Sequence, residues 1–169
     1  MNSCKCELVT LRVMNDEYLE DGLLLLTDPI IKQTYMLPDF SCRSEAEVLF
    51  HRLKDISLQD GRYVRGVFLG RSMIGFLNDV EINEGSIELG WVIHPEHHNK
   101  GYATCAVKQA IEELFALGYT EVVAGAFAEN SASIRVMEKC GMNRLEKTEE
   151  IEYRGVVHHC VYYAIGRNV

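Results

Sequence analysis

The residues whose types and spacing could do chemistry lie between Ser86 and Gly141. A Val- and Ile-rich run, Ser86 to His94, leads into Pro95-Glu96-His97-His98-Asn99, and Lys100-Gly101-Tyr102-Ala103 then opens a long helical pattern. A glycine at a strand-to-helix turn lets backbone amides converge on one spot, and the helix N-terminus adds about half a positive charge there. Such a turn suits a phosphate or pyrophosphate, although a glycine before a helix also serves packing. His94, His97 and His98 have the i, i+3, i+4 spacing of a metal-binding helix face. Pro95 and the turn work against a helix there, so no metal is expected. Farther on, Asn130 precedes Ser133 by three residues, as an N-cap precedes its N3 partner.

These residues need a scaffold, and the periodicity supplies one. Glu7 to Val13 alternates as a first strand, and Asn15 or Asp16 can cap a helix to about Thr27 that Asp28-Pro29 stops. Ser44 to Ile56 carries Ala46, Leu49, Phe50 and Leu53 at helical spacing. Tyr63 to Leu69, Ser72 to Ile82 and Ser86 to His94 then read as an antiparallel meander with turns at Gly70-Arg71 and Asn83-Glu84-Gly85. Ala103 to Gly118 has the clearest apolar stripe, Glu121 to Phe127 is a short buried strand, and Asn130 to Cys140 is a compact helix. Arg144 to Glu152 and Val156 to Ile165 form a closing hairpin near Arg154-Gly155. The fold class expected is α/β, a single domain over residues 1–169 with a mixed, mostly antiparallel sheet of about six to seven strands and about four helices.

Composition sets the outer bounds. The chain has 169 residues, 47% hydrophobic and 25% charged, as an ordinary globular domain does. Its longest clean aliphatic run, Leu23 to Leu26, is far short of the roughly 20 apolar residues of a membrane span. The N-terminal stretch Met1 to Val13 has no charged-then-apolar signal pattern, so the expected location is cytoplasmic. A net charge of −8 is the wrong sign for a nucleic-acid binder. Residues 1–60 hold 6 basic and 11 acidic side chains, whereas residues 128–169 hold 6 of each, so an acidic front half could attract a cationic partner or serve solubility. Six scattered cysteines are expected to be reduced, and Cys4 and Cys6 lack a second pair to complete a zinc site.

The run Glu88-Leu89-Gly90-Trp91-Val92-Ile93, then Pro95, then His98-Asn99-Lys100-Gly101-Tyr102-Ala103-Thr104, resembles the motif by which the GNAT family of N-acetyltransferases cradles acetyl-CoA. Asn130-x-x-Ser133-x-x-Val136-Met137-Glu138-Lys139-Cys140-Gly141-Met142 is similar to the second helix of the ribosomal-protein N-acetyltransferase branch of that family. Leu11-Arg12, Asp28-Pro29 and the tail Tyr163-Ala164-Ile165 agree, so the resemblance covers nearly the whole chain. His98 stands where the family usually has Gln or Arg, and Met137 where many members carry a Tyr that protonates the leaving thiolate. A thioether has no proton to give, which points to the serine-bearing branch.

The resemblance implies an acyltransferase using acetyl-CoA as acetyl donor. The acceptor is a primary amine, either a protein N-terminal α-amine or a small amine, attacking the thioester directly. A polyamine or antibiotic acetyltransferase and a non-catalytic acyl-CoA-binding module are the alternatives. Glu88 takes the place of the catalytic base, or faces solvent or binds the amine. Ser133 protonates the thiolate, or holds the cofactor's sulfur end, or only caps its helix; Asn130 caps and contacts the pantetheine. Cofactor contacts are expected from Trp91, Val92, Ile93, His98, Asn99, Lys100, Gly101, Tyr102, Ala103, Thr104, Asn130 and Ser133. A backbone N–H near Val92 or Ile93 is the expected oxyanion donor, where the family has a strand bulge. Relatives often pair through edge strands or the closing hairpin, yet nothing in residues 142–165 compels a homodimer.

Overall fold

The computed structural model describes residues 6–167. Seven strands form a mixed sheet in the order β1-β2-β3-β4-β5-β7-β6: β1 Val9–Arg12, β2 Val64–Leu69, β3 Ser72–Asn83, β4 Ser86–Ile93, β5 Glu121–Phe127, β6 Asn143–Tyr153 and β7 Val156–Gly166. The α-helices among the described residues are α1 Leu19–Thr27, α2 Ile31–Thr34, α3 Arg43–Ser57, α4 Tyr102–Ala116 and α5 Ser131–Lys139. The sheet and the long helices fall where the sequence periodicity puts them. α2 goes beyond that reading. Pro29 ends α1, but the Asp28 carboxylate then accepts from the amides of Ile30 (2.8 Å) and Ile31 (2.9 Å), starting one more turn.

The chain divides into two compact units, residues 1–78 with 91–106 and residues 79–90 with 107–169. The first unit is built around Leu25, Leu26, Phe50, Phe68, Phe76 and Val92. Gly22 lets α1 meet α3, because a Cβ there would collide with the Phe50 ring. Asp21 accepts from the Met73 amide at 2.9 Å, tying α1 to β3.

In the second unit β4 pairs with β5 in parallel from Ser86↔Glu121 to Glu88↔Val123. A parallel pair cannot close by a hairpin, so α4 makes the crossover. Gly118 ends that helix at φ +105, and the Thr120 and Glu121 amides donate to the Gly85 carbonyl. β5 then pairs antiparallel with β7, and β7 with β6.

The cysteines depart from expectation. Cys6 and Cys105 form a disulfide across 99 residues, whereas Cys42, Cys140 and Cys160 take part in no disulfide among the described residues. Nothing in their spacing pairs them; the fold brings the segment before β1 against the first turn of α4. Cys4, and with it the Cys4–Cys6 pairing weighed for zinc, lies outside the described residues.

Candidate active site

The predicted cofactor contacts from Trp91 to Thr104 lie in the first unit as one continuous turn. β4 ends at Ile93, the His94 imidazole accepts from the Glu96 amide (3.4 Å), and a 3-10 turn spans Pro95–His97. His98 bonds the Ile93 carbonyl through Nε2 at 2.6 Å, which fixes that nitrogen as the donor. The ring pins the loop to the strand end and gives the residue in the family's Gln/Arg position a structural task. Lys100 stays exposed, and its ammonium donates to the Glu96 carbonyl at 2.7 Å.

Asn99 (φ +59) and Gly101 (φ +86) are both left-handed, and a Cβ built on Gly101 meets no atom within 4 Å. The glycine is therefore required by backbone conformation, with open space before it. The Cys105 amide donates to the Gly101 carbonyl at 3.1 Å, so the amides of Gly101, Tyr102 and Ala103 occupy the positions where a helix leaves donors for an anion. α4 is 15 residues long and aims its dipole at the same place. This open, donor-rich turn fits a pyrophosphate. His97 Nδ1 is buried without a partner, and burial holds its imidazole below the ordinary histidine range, hence neutral near pH 7.

Val92 and Ile93 are buried at the end of β4. A Cβ on Gly75 of β3 would strike the Val92 carbonyl oxygen, so that carbonyl faces β3. In a trans peptide the following N–H points the opposite way, which directs the Ile93 N–H away from β3. Register shifts occur in β2–β3 and β6–β7. β4 instead continues to Ile93 beyond the last β5 pair at Glu88, leaving its end unpaired with that neighbour.

Glu88, Asn130 and Ser133 lie in the second unit. Glu88 is partly buried on β4, and the registers Glu88↔Val123 and Val123↔Ala164 put these three on one sheet face. Tyr162 follows on that face, its ring over Gly125, where a Cβ would come within 2.7 Å of Tyr162 Cε1. Tyr162 donates its hydroxyl to Glu149 at 2.5 Å. Burial pushes the Glu88 carboxyl above the ordinary range; Glu81 and Glu149 push the same way, and Lys147 opposes them. Tyr162 is likewise raised by burial, then by its bond to Glu149 and the charges of Glu88 and Glu149. Tyr162, Glu149 and Lys147 are not among the residues that the sequence alone singles out. Their alternation along β6 and β7 was the available signal, but which face held Glu88 depended on register.

Asn130 is placed by the end of β5. Its amide donates to the Phe127 carbonyl (2.8 Å), and Phe127 stacks on His158 (4.1 Å between ring centroids), which bonds Glu129. Asn130 Oδ1 caps α5 by accepting from the Ser133 amide at 3.2 Å, while its Nδ2 donates to Ser133 Oγ at 3.0 Å. Ser133 is thus part of the cap, and because its oxygen is the acceptor, its own O–H can donate elsewhere. Met137 is fully buried and serves as core.

Residues 9–143 match the family model described as the acetyltransferase (GNAT) domain, and the chain belongs to that family of acyltransferases. An uncharacterized N-acetyltransferase of Bacillus subtilis (strain 168), YnaD, is 40% identical over 62 residues, 36% of each chain. The spermidine N-acetyltransferase of Vibrio cholerae, solved with CoA and spermine, has a TM-score of 0.80 at 22% identity over 95% of this chain and 96% of that one. The ribosomal alpha-N-protein acetyltransferase RimL, solved with coenzyme A, has a TM-score of 0.83 at 15% identity over 94% and 93%. These likenesses show the single α/β GNAT fold. Among the described residues no helix is long and apolar enough to cross a membrane.

Proposed function

We propose that residues 1–169 act as one acetyl-CoA-dependent N-acetyltransferase domain whose acceptor is a primary amine. The observation carrying this reading is the open left-handed turn Asn99–Gly101 at the N-terminus of α4. Bound acetyl-CoA supplies an acetyl thioester. The Gly101 to Ala103 amides hold its pyrophosphate, with Trp91, His98, Lys100 and Thr104 lining the same turn. The Ile93 N–H is the donor for the carbonyl oxygen as negative charge develops there. Glu88 takes the proton from the acceptor ammonium, its raised proton affinity suiting a base that works near neutral pH. Ser133 gives its hydroxyl proton to the departing sulfur, and Asn130 orients that hydroxyl.

Calorimetric titration with acetyl-CoA tests the cradle. Micromolar affinity, about −8 kcal/mol, is expected, and no binding at millimolar ligand would overturn the reading. Ser133→Ala is expected to lower kcat about tenfold at unchanged KM for acetyl-CoA, because a thiolate leaves tolerably unaided. Its stability cost stays near about 1 kcal/mol, the worth of one hydrogen bond. An unchanged kcat would leave Ser133 a capping residue only.

Two acceptor classes are carried forward, the protein N-terminal α-amine and the small polyamine, following the two solved neighbours. The charge of −8 and the carboxylates beside Glu88 favour a cationic amine of either class. A side-by-side panel of N-terminal peptides and polyamines at two salt concentrations decides. Equal salt response for cationic and neutral acceptors would remove the electrostatic argument.

A further inference from the structure

On the sheet face that carries Glu88, the chain itself supplies an amine. β6 offers Leu145, Lys147 and Glu149 to that face: Leu145 packs against the cluster of Phe127, Cys160 and Tyr162, and Glu149 is in register with Cys160, two residues from Tyr162. The register shift between Arg144 and Thr148 puts Lys147 in the irregular stretch of an edge strand, where few ladder bonds fix it. Its Nζ lies 4.2 Å from the Tyr162 ring centroid and 3.4 Å from Glu149 Oε1. Its charge also acts on the Glu88 carboxyl. An aromatic face bordered by carboxylates is what an alkylammonium binds. The side chain of Lys147 is 46% exposed, so it is not locked in as a buried pair.

We propose that Lys147 is an acetylation site of the chain's own activity, its Nζ being acetylated from acetyl-CoA beside Glu88. The inference rests on Glu88 being the base. In the balanced step the Lys147 ammonium first gives a proton to Glu88, which passes it to solvent. The freed lone pair forms a C–N bond to the acetyl carbon, and the C–S bond breaks with its electron pair leaving on sulfur. The second amine proton ends on that sulfur as free CoA thiol, and Lys147 becomes a neutral amide. Loss of the cation removes the Glu149 pair and the cation–π contact, and leaves a bulkier side chain on the acceptor face.

Incubation of the full chain with acetyl-CoA alone, followed by intact mass and peptide mapping, tests this. One acetyl group per chain is expected on the peptide holding Lys147, at a rate independent of protein concentration. Lys147→Arg should lose that label, and Glu88→Gln should form it at least about tenfold more slowly. No label on Lys147 would overturn the proposal. So would equal labelling in Glu88→Gln or in urea-unfolded chain, which is background thioester chemistry. Turnover of an added amine, measured on the same preparations, separates the two readings. If Glu88→Gln slows that turnover while Lys147 stays unlabelled, only the Lys147 proposal falls. If it slows neither, the assignment of Glu88 falls with it.

Discussion

Glu88→Gln is expected to lower kcat about a hundredfold near neutral pH while leaving affinity for acetyl-CoA unchanged. Gln keeps the shape and the hydrogen-bonding reach of Glu but cannot take a proton. The sign of the pH dependence follows from the raised carboxyl. A base must be ionised to act, so the wild-type rate falls as pH drops through the raised Glu88 value, above the ordinary carboxylate range. The variant loses that limb. Its deficit also shrinks as pH rises toward about 8, where an α-amine supplies its own neutral fraction. Stability should move the opposite way. A carboxyl whose proton affinity is higher folded than unfolded contributes stability fully present at low pH and lost as pH rises through the folded value. Glu88 therefore costs stability at pH 7, and Glu88→Gln should raise the urea midpoint there, with little difference at acid pH. A pH–rate profile and paired urea titrations check both halves. A variant with the wild-type profile would remove Glu88 from the mechanism.

Gly75→Ala is the second large effect, and it acts on the fold at the site. A Cβ at position 75 would overlap the Val92 carbonyl oxygen and sit 2.8 Å from Ile93 Cδ1 and 3.2 Å from Ile93 Cα. Two of those three are backbone atoms, so no rotamer change relieves the overlap. The His94 amide donating to the Ile74 carbonyl at 2.8 Å holds the strands together at that point. The methyl must push the end of β4 away, at a cost of about 3 kcal/mol or more. The Ile93 N–H would move with it, so turnover should fall beyond what lost stability explains. Urea unfolding with an unchanged slope measures the first effect, and activity of the remaining folded fraction the second. A shift under about 1 kcal/mol would mean that β3 does not pass as close to β4 as described.

Most of the fold and half of the site were legible in the chain. The stripe on α4, the alternation of β2 and β3 and the hairpin at Arg154-Gly155 are local patterns, and local patterns specify elements directly. The candidate phosphate turn was legible for the same reason: Asn99 to Ala103 are contiguous, and a helix N-terminus opened by a glycine leaves backbone amides free for an anion. The cap formed by Asn130 and Ser133 spans three residues and was equally readable. α2 was missed because Asp28 looked like part of a stop, while its carboxylate faced forward to Ile30 and Ile31.

What the sequence determined by itself was the order of elements, the family and the place of a candidate anion-binding turn, all carried by residues close together along the chain. What only the tertiary structure decided depends on contacts between distant residues: the Cys6–Cys105 bond across 99 positions, the need for Gly75 beneath Val92, and the company Glu88 keeps. Glu88, Tyr162, Glu149 and Lys147 come from three strands, and a slip of one residue in any register would send one of them to the other face. Pairing register is fixed by the packing of the sheet as a whole, so no single stretch of sequence could have announced that face.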